Sequence, residues 1–173
     1  FLTADFCDEA LDAALPEAAG GEPMRFHLVS CQFAFHYSFA SEQRAETLMR
    51  LVSARLLPGG VFVGTTTDAC VLVKRLRHAE RLTFGNTHYE CTFAAAHAEK
   101  RFSSAAPYGI AYNWTLQEAV DDCQEYLVPR RTLVELAARF DLELVLAQNF
   151  VDFFAAEYCE PRGAELLWRM KVL

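Results

Sequence analysis

Between Ser41 and Pro58 the apolar positions recur at the spacing of one helix face: Ala45, Leu48, Met49, Val52 and Leu56. Ser41 suits the N-cap, and Pro58-Gly59-Gly60 stops the helix. On either side the period changes. Phe26 to Ser30 alternates only loosely and includes Leu28 and Val29, as does a strand buried on both faces of a parallel sheet. Val61 to Thr65 is a second short strand, ending in the polar run Thr65-Thr66-Thr67-Asp68. Strand, polar corner, helix, Pro-Gly-Gly and strand make a right-handed βαβ crossover, so the predicted class is α/β.

Beyond Lys74 this rhythm stops. Thr87 to Ala94 and Ile110 to Trp114 are strand-like, and the Ala- and Ser-rich Ala94 to Ala106 is a loop between them. Residues 75–129 therefore read as an antiparallel lobe inserted into a core that begins with residues 1–74. From Thr132 a capping box with Glu135 opens a helix carrying Leu133, Leu136, Ala137 and Phe140. Leu142 to Ala147 then returns as a strand and Phe150 to Tyr158 as a helix, so residues 130–173 rejoin the core.

One polar corner stands out. In Cys31-Gln32-Phe33-Ala34-Phe35-His36-Tyr37-Ser38-Phe39, a glutamine, a histidine and a tyrosine sit at the mouth of a strand otherwise built for burial. Ligands of parallel sheets collect at the carboxyl ends of the strands, so Gln32, His36 and Tyr37 can face a crevice. The bland alternatives are a satisfied structural histidine at His36 and simple packing at Tyr37. His27, His78, His88 and His97 are dispersed and read as surface or strand-edge residues.

Composition changes this picture little. A chain of 173 residues that is 53% hydrophobic and 23% charged can bury a core, which excludes a disordered segment. No apolar run approaches the ~18 residues of a membrane span, and the first residues form neither a signal nor a transit segment. Phe1 falls in mid-strand without an initiator methionine, so an upstream part is expected. The cysteines never approach the paired C-x-x-C spacing of a zinc site, which predicts buried free thiols in a reducing nuclear or cytosolic compartment. The net charge of -7 runs against the basic footprint of a nucleic-acid binder. Lys74, Arg75, Arg77 and Arg81, with Lys100 and Arg101, are locally basic, and such a run is ordinarily a solvated helix face.

Several blocks carry a resemblance. Gln-Phe-Ala-Phe-His-Tyr-Ser-Phe at Gln32, Leu-Pro-Gly-Gly-Val-Phe-Val-Gly-Thr-Thr at Leu57, and Asp122-Cys123-Gln124-Glu125-Tyr126-Leu127-Val128 together resemble the eukaryotic mRNA cap guanine-N7 methyltransferase family. Phe1-Leu2-Thr3-Ala4-Asp5, Phe84-Gly85-Asn86 with Tyr89, and Asn149 to Phe154 fall in the family's order. The resemblance covers nearly the whole chain. It implies part of a class I S-adenosylmethionine-dependent methyltransferase fold, a Rossmann-like sheet with an inserted antiparallel cap-binding lobe.

It also implies roles. Guanine presents donors at ring N1 and at its exocyclic amine and an acceptor at its keto oxygen, so a specific pocket needs a carboxylate and a donor. Glu125 and His36 are the right types, and they match family positions that bind the cap guanine. Thr67 follows Gly-Thr-Thr where the family usually places a proline near the base. For the methyl donor, Asp5 at a strand end suits the adenine amine, Phe6 offers a backbone amide and an apolar wall, and Gln32 and Tyr37 match positions lining the donor site. Taken alone, Asp5 could be an N-cap for Cys7 to Leu15. Glu125 taken alone could be a surface carboxylate near a turn.

The implied activity is methyl transfer from S-adenosylmethionine to guanine N7 of the mRNA cap, in the nucleus. N7 carries no proton, so no catalytic residue and no metal are expected, only proximity and orientation. The implied partner is the capped 5′ end of RNA, with an activating subunit or fused capping domains as further candidates, and no membrane. Gripping one terminal nucleotide needs pocket complementarity more than long-range attraction, which eases the charge contradiction. The family's Gly-rich loop, its ribose-binding acid and its final strand have no counterpart here, so the isolated chain is expected to be inactive. A small-molecule methyltransferase and a catalytically silent binding module remain the alternatives; the first differs in whether Glu125 and His36 share one pocket.

Overall fold

The structure, a computed structural model, describes residues 4–8, 10–17 and 20–172. The strand end read at Phe1-Leu2-Thr3 lies outside these residues. The chain divides into two compact units, Phe1–Leu142 and Glu143–Leu173.

In the first unit a short helix, α1 (Leu11–Ala14), precedes strand β1 (Phe26–Gln32), a 3₁₀ helix (Phe35–Ala40), helix α2 (Glu42–Arg55) and strand β2 (Leu56–Thr65). The expected βαβ unit is present, with β1 and β2 parallel and α2 between them in sequence. Ser41 caps α2, its hydroxyl accepting from the Arg44 amide at 3.3 Å. Ala45, Leu48, Met49, Val52 and Leu56 are all buried, as their spacing predicted. Pro58-Gly59-Gly60 does not separate helix from strand. Strand β2 starts directly after α2, and residues 57–60 bulge opposite His27 because Phe26 pairs with Leu56 while Leu28 pairs with Val61. Gly59, at φ +79°, supplies the left-handed conformation this bulge needs.

The expectation that β1 is buried on both faces is not met. Val29, Cys31 and Phe62 pack against the α2 core. Leu28 (58%), Val61 (52%) and Val63 (43%), on the other face, are exposed. The reason is that, among the described residues, β1 and β2 form a sheet of two strands with packed cover on one face. Arg55 ties the preceding segment to the end of α2. Buried itself, it donates from Nε to Asp12 Oδ1 at 2.6 Å and from Nη2 to Asp12 O at 2.5 Å.

Helix α3 (Ala69–His78) follows β2, capped by Asp68 Oδ1, which accepts from the Cys70 and Val71 amides at 2.8 and 3.2 Å. Strands β3 (Thr83–Gly85), β4 (Tyr89–Phe93), β5 (Ala111–Leu116) and β6 (Val120–Tyr126) then form an antiparallel sheet in sequence order. Ala69, Leu72 and Leu76 of α3 share a second core with Cys91, Phe93, Ile110, Tyr112 and Leu127. Strands β4 and β5 answer to the segments read from the sequence. The polar β6 becomes a strand through its ladder with β5.

Half of the named basic residues are spent on contacts of the lobe. Arg75 hydrogen-bonds the Tyr89 hydroxyl and lies over its ring, 5.7 Å from the centroid. Arg77 donates to Lys100 O at 3.2 Å, and Lys100 Nζ to Ala79 O at 2.5 Å.

Helix α4 (Arg130–Ala138) begins two residues before the predicted capping box, after Pro129, so Thr132 lies inside it. Glu135 instead accepts from Arg131 Nε at 2.7 Å, an i,i+4 pair. The strand expected at Leu142 to Ala147 does not form. A strand exists only as a pairing, and this apolar run has no ladder partner among the described residues. The second unit holds α5 (Phe150–Tyr158), as read, capped by Asn149, and α6 (Pro161–Arg169). None of its helices, nor any other among the described residues, is long and apolar enough to cross a membrane.

All six cysteines are free. Cys7 and Cys91 fit the buried-thiol reading, and burial pushes their pKa values up to about 11 and about 12. Cys70 and Cys159 are exposed and do not fit it.

A β-carbon on Gly64 would lie 2.8 Å from the Phe35 ring, so this glycine makes room for the side chain that anchors the 3₁₀ helix. Gly64→Val should therefore destabilise the chain by about 1–3 kcal/mol, the usual cost of overpacking. Urea unfolding measures this; an unchanged midpoint would show that Phe35 moves freely.

Candidate functional site

The polar corner is built by anchoring its neighbours. At the end of β1 the Phe33 amide donates to Thr65 O at 3.2 Å and to Thr65 Oγ1 at 2.8 Å, which closes the corner onto β2. Phe33 holds φ at +52°, a costly conformation for a bulky residue and one that gathers at functional sites. Phe35 and Phe39 are then buried in the α2 core, and the Ser38 hydroxyl donates to Phe35 O at 2.6 Å. With both flanking phenylalanines fixed, His36 is fixed as well, at 2% exposure.

The antiparallel sheet supplies the other half. Tyr112 of β5 and Glu125 of β6 are directly paired across the ladder. The Tyr112 hydroxyl donates to Glu125 Oε2 at 2.6 Å and lies 2.6 Å from Thr67 Oγ1, just past the end of β2. Glu125 Oε1 lies 3.5 Å from His36 Nε2, and His36 Nδ1 lies 3.4 Å from Thr66 Oγ1. His36, Glu125 and Thr67 are thus brought together, joined by Thr66 and Tyr112. Glu125 is 6% exposed, so the bland reading of a surface carboxylate does not hold. At 3.5 Å the His36 Nε2 contact with Glu125 is too long for a good hydrogen bond, and this buried nitrogen makes none with any described protein atom.

The electrostatics oppose one another at Glu125. Burial pushes its pKa up, but His36 and the Tyr112 hydroxyl outweigh that and leave it below the ordinary carboxylate value. Tyr112 is pushed well up, first by burial and then by the carboxylate it faces. A buried, ionised acceptor beside an unpartnered imidazole nitrogen can read a planar group that presents donors and an acceptor along one edge.

The residues expected at a donor site do not form one contact set. Asp5 Oδ1 accepts from the Cys7 amide at 2.9 Å, and both carboxylate oxygens accept from Arg44 Nη2, at 3.2 and 3.0 Å. The Cys7 amide is the main cause of its lowered pKa, burial opposing and Arg44 assisting. Asp5 therefore closes a turn; α1 starts later, at Leu11, without it. Phe6 packs partly buried against the α2 core. Gln32 is exposed on the open face of β1, its Nε2 donating to Ser30 Oγ at 3.0 Å and Val63 O at 3.4 Å. Tyr37 joins the other group, its ring 4.4 Å from that of His36 and its hydroxyl 3.3 Å from Cys123 Sγ. Among the described residues no His, Cys, Asp and Glu cluster is arranged to hold a metal ion.

Sequence reasoning missed Thr66, Tyr112, Cys123 and Arg44. The alternation Ile110, Tyr112, Trp114 marked Tyr112 as one face of a strand, but its partner depended on a ladder with the unread β6.

Among solved structures, an S-adenosylmethionine-dependent methyltransferase from Clostridium acetobutylicum matches with a TM-score of 0.46 at 10% identity, over 84% of this chain and 54% of that one. The mRNA cap guanine-N(7) methyltransferase 1 of Oryza sativa subsp. japonica is 44% identical and that of Arabidopsis thaliana 42% identical, each over 99% of this chain. The mRNA cap guanine-N(7) methyltransferase of Drosophila melanogaster is 37% identical over 99% of it. The chain spans 45% of the length of the two plant relatives and 39% of the fly relative. The family model of the mRNA (guanine-N(7))-methyltransferase domain matches residues 1–173, and the chain belongs to this family.

Proposed function

We propose that this chain provides the guanine-recognising part of an enzyme that methylates N7 of the mRNA cap guanosine, and that residues 75–129 are its cap-binding insertion. The observation that carries this reading is the pair of buried side chains Glu125 and His36, one an ionised acceptor and the other a donor without a protein partner. Glu125 would accept from guanine N1–H and the exocyclic amine. With the Thr66 hydroxyl donating to His36 Nδ1, the ring proton rests on Nε2 and is offered to the keto oxygen. Their 3.5 Å approach supports the cap over a small-molecule substrate, because both groups address one point.

S-adenosylmethionine would supply an electrophilic methyl group, and the residues assigned to it are Asp5, Phe6, Gln32 and Tyr37. Of these residues Asp5 supports the reading: it is half-exposed and held ionised, so it can accept from an adenine amine while paired with Arg44. Since N7 has no proton to lose, the chain's residues need only bind and orient. The partner is the capped 5′ end of RNA, and the compartment of this reading is the nucleus.

In the full-length protein, Glu125→Ala should weaken binding of a guanosine cap by about 1.5–3 kcal/mol, the worth of hydrogen bonds to a charged group. Calorimetry with S-adenosylhomocysteine should meanwhile give an unchanged Kd; equal losses for both ligands would reject the assignment.

Asp5→Ala and His36→Ala should separate the two ligands. The first should raise the Kd of S-adenosylhomocysteine and the second that of a cap analogue, and the reverse pattern would exchange the two sites.

The open apolar face of β1 and β2 supports a further expectation, that the 173 residues alone do not transfer methyl. A radiolabelled methyl-transfer assay on the isolated chain tests it, with cooperative melting and turnover as the contrary result.

A further inference from the structure

The hydroxyl of Thr67 and that of Tyr112 stand in series behind Glu125, and the direction of the two bonds follows from the hydrogen inventory. An ionised carboxylate only accepts. The 2.6 Å bond to Glu125 Oε2 therefore consumes the single proton of the Tyr112 phenol. Toward Thr67, 2.6 Å away, the phenol oxygen has only lone pairs to offer, so Thr67 must be the donor. The influences on Tyr112 agree in sign: after burial, Glu125 raises its pKa and Thr67 lowers it.

Each member is held by a different part of the fold. Glu125 and Tyr112 face each other across the β5–β6 ladder, and Tyr112 is 1% exposed, with the Phe93 ring 5.6 Å away. Thr67 lies between the end of β2 and Asp68, the cap of α3. Bonds that run in one direction polarise each other and strengthen the last, charge-assisted link.

We propose that Thr67 and Tyr112 are positioning residues for cap recognition, a one-way chain from Thr67 through Tyr112 that orients the Glu125 carboxylate so that Oε1 faces His36 and the guanine edge. Thr67, which stands where the family usually places a proline near the base, then acts through Tyr112 instead of touching the base. The proposal rests on the reading of Glu125 as the guanine acceptor.

The test uses the full-length protein, unmethylated guanosine-capped RNA, and calorimetry with S-adenosylhomocysteine. Tyr112→Phe should raise KM for capped RNA about tenfold, as loss of a hydrogen bond to a charged group does. Its kcat should change less and S-adenosylhomocysteine affinity should stay within about twofold. Thr67→Val should raise KM about threefold, Thr67→Ser should restore it, and Thr67→Val should add nothing to Tyr112→Phe, because its effect is transmitted by that hydroxyl. A Thr67→Val effect of equal size in both backgrounds would overturn the chain. So would variants that weaken donor and cap binding alike.

Glu125→Gln separates the two levels. If it leaves KM unchanged, the reading of Glu125 fails and the proposal falls with it. If it raises KM while Tyr112→Phe and Thr67→Val do not, the chain alone is wrong. Should Tyr112→Phe not fold, equal KM values for Thr67→Val and Thr67→Ser would overturn the proposal.

Discussion

Burial of Phe35 and Phe39 on either side of His36 is the constraint from which the site follows. A 3₁₀ helix has poor hydrogen-bond geometry and little stability of its own. This one is held because its two phenylalanines fill the core under α2, one of them in the space left by Gly64. The same packing leaves His36 no freedom to turn to solvent. Its imidazole must meet whatever the neighbouring sheet presents, and that is Glu125.

A buried carboxylate is costly unless its charge is compensated. Here the compensation comes from two sources, the imidazole at 3.5 Å and the Tyr112 hydroxyl at 2.6 Å. Their balance keeps Glu125 ionised in spite of its burial. The imidazole still lacks a hydrogen bond at Nε2, so the polar cluster is complete at Glu125 Oε2 and incomplete at His36 Nε2. A polar network satisfied on its inner side and unsatisfied at one ring nitrogen is suited to a polar ligand edge. The acidic net charge is no obstacle, since recognition of this kind is local, and several of the chain's cations are already used to fasten α3 to the antiparallel lobe.

Much was legible in the sequence where local chemistry decides. The α2 helix, its Ser41 cap and its buried face followed from apolar spacing; Gln32, His36 and Tyr37 were placed at the end of β1 by the break from apolar to polar residues. Family blocks added Glu125, which no periodicity would have chosen. The sequence determined these features because helix faces, caps and strand ends depend on neighbours a few residues away.

Only the tertiary structure decided the rest, because it depends on which segments pair. Asp122-Cys123-Gln124-Glu125 is a strand because β5 lies beside it, whereas the more strand-like Leu142 to Ala147 has no ladder partner among the described residues and is not one. Thr132 lost its capping role to a helix that starts at Arg130, and Arg131 took Glu135. Asp5 was matched to an adenine, but its pairing with Arg44 of α2 is a contact across 39 positions that no local pattern encodes. The same holds for Tyr112, whose place between Thr67 and Glu125 exists only because the segment that follows β2 meets the antiparallel sheet there.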